Sequence, residues 1–490
     1  MTTYRQTTLG ALAVLAAVTG CGGSSAPSGM VYRSSVASTS SGGSSGGGAY
    51  AMAESAPAAA SSAGADRSSY AAEAPPAPMP MQRAPVATST GGVMAVPPSN
   101  SGAAAAPATT IRMEVGVAAP IVPQQPQIVT VQQVVPVGLL TAASVGDVDR
   151  RENYLEFLMR HPDEQAQMGI DMSRRIRFRV MDNDQHPVND AQLTLVGEGI
   201  STAGRTHADG RWDFYPSVDA PAVQGPLSVR IESHGQVVAQ AQVAIPSQGD
   251  GQEVTFQVDA NAGSGAPRVL DLGFLIDVTG SMGDELRYVN NEIGSIVQRI
   301  QAGAPGIQIR VGATFYRDRV DPQPLQMIPF TGNVGGFASV MSGITASGGG
   351  DYPEDMNAGF DAALHRMQWS QGNADRVLIV IADAPPQMYQ DEQFEYRSAM
   401  REASQRGIRI VPVAASGADR RVEYLFRAMG AYTSTPYTYL TDESGIGAPH
   451  MEADTDRVAI ERFNDLLVRM VISDLRGEGM HEPGPLGPRG

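Results

Sequence analysis

One stretch of sequence constrains the fold more than any other. An apolar run from Leu270 to Ile276 leads into Asp-Val-Thr-Gly-Ser, and a long amphipathic segment follows. The apolar run predicts a strand buried on both faces, as in parallel sheets. Beyond the polar turn, apolar residues recur at helical spacing, at Leu286, Val289, Ile293, Ile296, Val297 and Ile300. A strand, a polar turn and a helix in this order predict an open α/β sheet, which binds ligands where its strands end.

The same alternation continues to residue 475 and predicts a doubly wound, Rossmann-like α/β domain over residues 268–475. Strands are predicted at Val269–Ile276, Ile309–Tyr316, Val377–Ala382, Arg409–Ala414 and Tyr437–Leu440. Helices are predicted at Gly283–Ile300, Gly335–Ile344, Asp355–Met367, Gln393–Arg406, Arg421–Met429 and Arg457–Asp474. Residues 476–490 are rich in glycine and proline and are predicted to be a flexible tail.

A different pattern precedes this domain. Short alternating runs between residues 171 and 260 are separated by turn residues, which predicts an antiparallel β-sandwich. The stretch V-M-D-N-D-Q-H-P with T-H-A-D-G-R-W resembles transthyretin-like, or carboxypeptidase-regulatory-like, modules. The resemblance implies a seven-stranded sandwich without catalysis. Arg175, Arg177 and Arg179 alternate along one predicted strand, where we expect a solvated face. Residues 111–170 predict a short strand and a helix that ends before Pro162.

The N-terminus predicts where the protein resides. An apolar run from Leu9 to Val18, too short to cross a bilayer, is followed by Thr-Gly-Cys-Gly-Gly. This arrangement resembles a bacterial lipoprotein signal, which implies that residues 1–20 are removed and that Cys21 carries the lipid, with palmitate as an acyl chain. No aspartate follows Cys21, and by resemblance to Gram-negative lipoproteins this favours the outer membrane of the cell envelope. An ordinary secretory signal with an incidental cysteine is the alternative.

Composition limits the remaining possibilities. Residues 21–110 are mainly Ala, Ser, Gly and Pro, which predicts a disordered tether because little apolar surface can be buried. The chain of 490 residues has a net charge of -16 and contains no lysine. An acidic chain without a basic stripe argues against nucleic-acid binding. Cys21 is the only cysteine, so no internal disulfide is possible.

Three separate stretches place side-chain oxygens where predicted strands end. They contribute Asp277, Thr279 and Ser281, then Asp351 after three glycines, and then Asp383 after a strongly apolar run. Oxygen donors of this kind suit a divalent cation, Mg²⁺ or Ca²⁺. Each residue also has a structural alternative. Ser281 with Asp284 fits a helix capping box, Asp351 fits a loop acid, and Asp277 fits a carboxylate at a strand end.

These stretches, with F-Y-R-D between them, resemble the von Willebrand factor type A domain. In that family D-x-[ST]-x-S, a downstream threonine and a further aspartate form the metal-ion-dependent adhesion site, or MIDAS. The resemblance implies hydroxyl coordination by Thr279 and Ser281, with Asp277 and Asp383 as direct or water-mediated ligands. Asp351 stands where the family has threonine. Three carboxylates around one ion would repel an acidic partner, so the ion is expected to be structural or to be Ca²⁺.

The resemblance implies a non-enzymatic module that binds an envelope or extracellular protein and is held to the membrane by its lipid. A scaffold whose metal only stiffens the loops is the second hypothesis. A metal-dependent phosphohydrolase using Asp277 as nucleophile is the third, and it is weaker because Thr279 stands where such enzymes have a second acid. A serine hydrolase lacks support because Ser281 is not in a G-x-S-x-G elbow.

Overall fold

The computed structural model describes residues 30–33, 129–132, 139–259, 267–350 and 352–483. The predicted signal peptide, Cys21, almost all of the predicted tether and Asp351 lie outside these ranges. The strands, in chain order, are β1 Met30–Arg33, β2 Val129–Gln132, β3 Thr141–Val145, β4 Ile176–Asp182, β5 Gln192–Gly197, β6 Ile200–Arg205, β7 Arg211–Phe214, β8 Leu227–Ser233, β9 Gln236–Val243, β10 Val254–Val258, β11 Val269–Asp277, β12 Gln308–Tyr316, β13 Leu325–Thr331, β14 Ala374–Ala382, β15 Ile408–Ala414, β16 Tyr437–Leu440 and β17 Arg457–Arg462.

The helices of the described residues alternate with strands in the C-terminal half and are sparse before it. They are α1 Arg151–Arg160, α2 Pro162–Met168, α3 Pro216–Asp219, α4 Gly283–Gly303, α5 Val334–Met341, α6 Met356–His365, α7 Tyr396–Gln405, α8 Arg420–Tyr432 and α9 Phe463–Leu475. No helix among the described residues combines the length and apolar character that a membrane span requires.

A nine-stranded mixed sheet forms the centre of the C-terminal part, in the order β13-β12-β11-β14-β15-β16-β3-β17-β2. Strands β12, β11, β14, β15 and β16 run parallel, so their carboxyl ends lie at one edge. Strand β11 is buried along almost its whole length, as expected for a strand covered by helices on both faces. The prediction of an α/β domain is therefore confirmed, with a sheet that is mixed where a parallel sheet was expected.

Two apolar cores cover the two faces of this sheet. Helices α4, α5 and α9 pack on one face through side chains such as Val289, Phe337 and Leu467. Helices α6, α7 and α8 pack on the other face, together with α1, through side chains such as Phe360 and Leu425. Because both faces are covered, the described loops at the carboxyl edge are where this sheet can offer polar groups to a ligand.

Two four-stranded sheets precede this domain, in the orders β1-β10-β4-β7 and β6-β5-β8-β9. They bury a common core that includes Phe178, Leu193, Trp212, Ile231 and Phe256. This arrangement supports the predicted sandwich, but the prediction of purely antiparallel sheets is wrong, because β10 runs parallel to both β1 and β4. The resemblance to transthyretin-like modules stays a prediction. Gly204 is required here, because a Cβ at that position would lie 1.9 Å from the Trp212 ring.

The sandwich packs against the amino edge of the nine-stranded sheet. The Trp212 indole donates to Ser404 Oγ on α7 at 2.7 Å. Arg376, near the start of β14, pairs with Asp190 at 3.1 Å. The site-bearing carboxyl edge is at the opposite end of the same strands, so this contact places the sandwich away from the predicted site.

The predicted solvated face of β4 is wrong. Arg177 donates to Asp213 Oδ1 at 2.8 Å, and Arg175 pairs with Asp250. Asp213 is fully buried and also accepts from the Ser434 hydroxyl of the α/β domain. Arg175 and Arg177 therefore face carboxylates close to the contact between the two domains, which their spacing alone could not indicate.

Several predicted boundaries also need correction. Strand β3 lies within residues 111–170, which were predicted to precede both domains, but it is inserted into the nine-stranded sheet between β16 and β17. The predicted helix Arg457–Asp474 is strand β17 followed by α9, and β13 was not predicted. Pairing with distant segments decides these strands, and local periodicity does not contain that information. Residues 476–483 also depart from the predicted loose tail, since Met480 is buried.

Candidate metal centre

Asp277 is the last residue of β11, and its carboxylate is fully buried. Thr279 donates to the same oxygen, Asp277 Oδ1, from its backbone N–H at 2.8 Å and from its hydroxyl at 2.7 Å. The other oxygen, Oδ2, has no hydrogen-bond partner among the described residues. One oxygen is therefore held by the turn, and the other is available to a ligand.

Ser281 lies in a short 3₁₀ turn, Gly280–Met282, and is exposed. Its hydroxyl oxygen is 3.2 Å from Thr279 Oγ1. Helix α4 begins at Gly283, and no side chain caps its first turn. Ser281 therefore does not cap helix α4. Its hydroxyl lies beside that of Thr279.

The glycine loop of residues 348–350 closes over this turn. Gly280 N donates to Gly348 O at 3.1 Å, and Asp321 Oδ2 accepts from Gly349 N at 2.7 Å. Gly349 has φ +67°, and a Cβ there would lie 3.1 Å from Thr279 Cβ and 2.9 Å from Glu354 Oε1. Glycine is required at this position both by the backbone conformation and by the closeness of these two side chains.

The segment after β12 holds the glycine loop in place. Arg317 is almost fully buried, and its guanidinium donates to Ser347 O at 2.8 Å and to Thr345 O at 2.8 Å. This gives the shape of the loop a local cause: a buried cation satisfies the carbonyls that the turn leaves unpaired. The F-Y-R-D stretch thus positions the site, and the hydroxyl of its Tyr316 lies beside the Asp277 carboxylate.

Asp383 follows β14, and only 4% of its surface is exposed. Its Oδ1 has no hydrogen-bond partner among the described residues, while the Ser281 side chain interacts with the carboxylate. Gly417, in the loop after β15, lies against it, since a Cβ there would be 3.7 Å from Asp383 Oδ2. The structure thus brings Asp277, Thr279, Ser281 and Asp383 together, while Asp351 lies outside the described residues.

One residue of this cluster was not predicted. Glu354 comes from G-G-G-D-Y-P-E-D, where Asp351 was the predicted ligand and Asp355 the predicted start of a helix. Asp355 does cap α6, accepting from Ala358 N at 3.2 Å, but Glu354 is buried beside Thr279. The signal available in the sequence was a second acid close to the glycine loop.

The electrostatics of the cluster disfavour ionisation of its acids. Burial, and then the neighbouring Asp383, raise the pKa of Asp277 to about 7. Burial, and then Asp277 and Asp318, raise the pKa of Glu354 to about 9. Burial also raises the pKa of Asp383. These carboxylates repel one another in a low-dielectric setting, so a cation would stabilise their ionised forms.

The residues present fit a hard divalent cation. Asp277 Oδ2, Asp383 Oδ1 and Glu354 Oε2 are buried without hydrogen-bond partners among the described residues. Buried carboxylate oxygens are normally satisfied by donors or cations, and the donor set here consists of oxygen alone. A cavity of about 260 Å³ opens onto the cluster, lined by Ser281, Gly349, Tyr352, Glu354 and Asp383.

A second group could hold a metal ion in the turn after β4 of the sandwich. One ligand atom from each of Asp182, Asp184 and His186 lies within 4.8 Å of the others. Asp184 and His186 are exposed, and exposed acidic groups of this kind are common without an ion. The sequence analysis interpreted this stretch only as a turn.

An open α/β sheet with an oxygen cluster at its carboxyl edge is the arrangement of a ligand-binding α/β domain. A von Willebrand factor A domain is found at residues 271–451, and domains of this family are often involved in protein–protein interaction. The match begins in β11 and includes Asp277, Thr279, Ser281, Glu354 and Asp383. The domain predicted from the sequence is thus confirmed over these residues.

The curated relatives match only part of the chain. An alpha-protein kinase, vwkA, of Dictyostelium discoideum is 32% identical over 121 residues, which are 24% of this chain and 19% of the relative. A putative ariadne-like RING finger protein of Acanthamoeba polyphaga mimivirus is 32% identical over 118 residues, which are 24% of this chain and 11% of the relative. The chain therefore spans a fifth or less of these relatives.

Two solved structures are similar over part of the chain. Proximal thread matrix protein 1 from the mussel byssus has 14% identity and a TM-score of 0.27, covering 34% of this chain and 40% of its own. The pilus adhesin SpaC from Lactobacillus rhamnosus GG has 11% identity and a TM-score of 0.29, covering 51% of this chain and 32% of its own.

Proposed function

We propose that this protein is a lipid-anchored binding module of the cell envelope that recognises a protein ligand through a divalent cation. Asp277, Thr279, Ser281 and Asp383 would hold the cation in a MIDAS-like site, with Asp351 of the glycine loop as a further candidate ligand. The observation that carries the proposal is the set of carboxylate oxygens at the carboxyl edge that are buried without hydrogen-bond partners in the described part of the chain. When bound, the cation would supply a Lewis-acidic centre for an oxygen of the partner.

Exposed apolar side chains near the cation site support a protein partner over a purely structural ion. Val320, Tyr352 and Met388, which we call the apolar rim, are 87%, 44% and 45% exposed. Two contacts place these side chains near the site. Asp321, the residue after Val320, accepts a hydrogen bond from Gly349 N. The Met388 sulfur lies 3.7 Å from Asn357 Nδ2, at the start of α6. Apolar side chains beside a polar centre are typical of protein interfaces.

The direct test is affinity capture from envelope extract, with Ca²⁺ or Mg²⁺ compared against chelator. The proposal expects a partner that is retained with the cation, released by chelator and lost with Asp277→Asn. A matched control is Asp391→Asn, because Asp391 is an exposed carboxylate of the same α/β domain that pairs with Arg319. Retention that is equal with and without cation would contradict recognition through the ion.

A second variant separates recognition from scaffolding. Replacing all three residues of the apolar rim by serine should abolish capture and leave stabilisation by the cation intact. If the cation stabilises the wild-type protein but no partner depends on it, the structural-scaffold hypothesis is favoured. We further propose that the module is non-catalytic. Turnover of phosphate esters that is lost with Asp277→Asn would instead support the phosphohydrolase.

The anchoring part of the proposal concerns Cys21. The chain should incorporate labelled palmitate and partition into detergent with outer-membrane fractions. Cys21→Ser should abolish both properties, because the thiol that would carry the lipid is removed. A wild-type chain that is released as a soluble protein, with its N-terminal segment cleaved elsewhere, would contradict lipid anchoring.

A further inference from the structure

Glu354 is a buried carboxylate of the metal centre that the family's ligand pattern does not include. Only 4% of its surface is exposed. Its Oε1 lies 2.9 Å from the Cβ position of Gly349, and Thr279 Cβ lies 3.1 Å from the same position. The carboxylate and the Thr279 side chain therefore flank one glycine, which brings Glu354 to the turn that holds Asp277.

The backbone fixes Glu354 against the loop that carries Asp383. Glu354 N donates to Pro385 O at 3.2 Å, and Gln387 N donates to Glu354 O at 2.7 Å. On its C-terminal side, Asp355 caps α6 and so anchors the chain there. Backbone pairing with the segment after Asp383 and the start of α6 therefore fix the position of Glu354.

No described cation compensates this carboxylate. Glu354 forms no salt bridge with a described residue, and its Oε2 has no hydrogen-bond partner among them. The charged groups that act on it most strongly are Asp277, Asp318 and Asp383, all of the same sign, and Asp318 also shares a hydrogen bond with it. The nearby Arg319 is directed to Asp355, Asp391 and Glu392 instead. A buried acid surrounded by acids is costly unless a cation joins them.

Asp271, at the other end of β11, is an instructive contrast. It is fully buried like Asp277, but Arg310 Nε donates to its Oδ1 at 2.8 Å, and the Ser370 hydroxyl donates to the same oxygen. At this end of β11 a buried carboxylate is therefore paired with arginine. Glu354, Asp277 and Asp383 lack such a pairing among the described residues.

We propose that Glu354 is a ligand of the same ion as Asp277 and Asp383, and that this additional carboxylate makes the site select Ca²⁺ over Mg²⁺. The inference rests on the proposed cation site. Ca²⁺ accommodates about 6–8 oxygen ligands in flexible geometry, whereas Mg²⁺ requires a near-ideal octahedron and retains several waters. Three carboxylates with the hydroxyls of Thr279 and Ser281 form a crowded anionic set, which suits the larger ion.

The test is isothermal titration of the full chain with Ca²⁺ and with Mg²⁺, for wild type, Glu354→Gln, Asp277→Asn and Asp391→Asn. The wild-type protein should bind Ca²⁺ more tightly than Mg²⁺. Glu354→Gln keeps the shape and a hydrogen-bond donor but removes the charge. It should lower the Ca²⁺ affinity by about 10-fold or more and reduce the preference for Ca²⁺. Asp391→Asn should match wild type.

The melting temperature is a second measurement, which shows whether the variant is folded. In chelator near neutral pH, Glu354→Gln should melt close to the wild-type temperature, because burial and the neighbouring acids raise the pKa of Glu354 to about 9 and the carboxyl without the ion is neutral, as the amide is. If Glu354→Gln does not fold, Glu354→Asp, which retains the charge but shortens the side chain, should bind Ca²⁺ more weakly than wild type.

The outcomes distinguish this inference from the proposed function. If Asp277→Asn abolishes Ca²⁺ binding while Glu354→Gln binds as wild type, Glu354 is only a protonated neighbour, and the inference is overturned while the cation site stands. If Asp277→Asn also binds as wild type, the cation site itself is wrong. A wild-type preference for Mg²⁺ overturns the proposed selectivity.

Discussion

Thr279 directs two donors, its backbone N–H and its hydroxyl, at one carboxylate oxygen of Asp277, at 2.8 and 2.7 Å. This leaves Asp277 Oδ2 buried without a described partner. The relationship separates the two oxygens into one that orders the turn and one that is available to an ion.

The first prediction concerns metal removal. Chelation should lower the melting temperature of the wild-type protein, because an ion that binds only the folded state stabilises it by mass action. At about 100-fold excess of free ion over Kd the stabilisation is about 2.7 kcal/mol. Differential scanning calorimetry of wild type and Asp277→Asn, with Ca²⁺ or chelator, measures this. The variant should show no difference between the two conditions; a response equal to that of wild type would contradict a site built on Asp277.

The second prediction concerns Gly349. Gly349→Ala should weaken cation binding, because the added methyl group would crowd Thr279 and Glu354. Gly372→Ala is the matched control, since Gly372 also has positive φ, at +75°, but has nothing within 4 Å of its Cβ position. Both variants should lose about 1–2 kcal/mol from backbone strain. In titration calorimetry only Gly349→Ala should lose Ca²⁺ affinity; equal affinities in the two variants would argue against a site beneath this glycine.

The third prediction concerns the contact between the sandwich and the α/β domain. Arg409 is fully buried and pairs with Asp474 at 2.8 Å and with Asp209 of the sandwich at 2.9 Å. Arg409→Met should cost about 3–5 kcal/mol, because it strands buried carboxylates. Arg299→Met breaks an exposed pair with Asp465 and should cost less than about 1 kcal/mol. Urea unfolding followed by tryptophan fluorescence compares the two; similar losses would mean that the buried network contributes little.

The fourth prediction is a pH dependence at His450. Its Nε2 lies 3.0 Å from Glu285 Oε1, and its Nδ1 lies 2.7 Å from Asp442 Oδ1. Burial lowers the pKa of His450, but hydrogen bonds and charge from these two carboxylates outweigh it and raise the pKa. Because the folded pKa exceeds the unfolded one, the stabilisation is fully present below about pH 6.5 and is lost as pH rises through the folded pKa.

The corresponding measurement compares His450→Gln with wild type in denaturant unfolding at pH 5.5, about one unit below the usual histidine pKa, and at pH 9, about 2.5 units above it. The loss of stability should be about 1.5–3 kcal/mol in acid, as for hydrogen bonds to charged groups, and much smaller in base. His234→Asn, at an exposed histidine of the sandwich, should show little difference between the two values. A loss at His450 that grows with pH would contradict this sign.

Much of the fold was predictable because the signals are local. The apolar run before Asp277 and the helical spacing after it predicted β11 and α4 to within a few residues. The break before Pro162 was also predicted, although Pro162 itself begins α2, where a proline without its N–H costs nothing. Strands β3, β13 and β17 were missed or misassigned, because each is defined by a partner distant in the chain.

By itself the sequence determined which oxygens stand at the ends of buried strands, because burial and turn chemistry are written in consecutive residues. Asp277, Thr279, Ser281 and Asp383 can be selected in this way from the sequence alone. Only the tertiary structure decided that Glu354 joins them. Its place beside Thr279 depends on the glycine loop and on pairing with the segment after Asp383. Such proximity arises from packing between distant segments, and no local pattern encodes it.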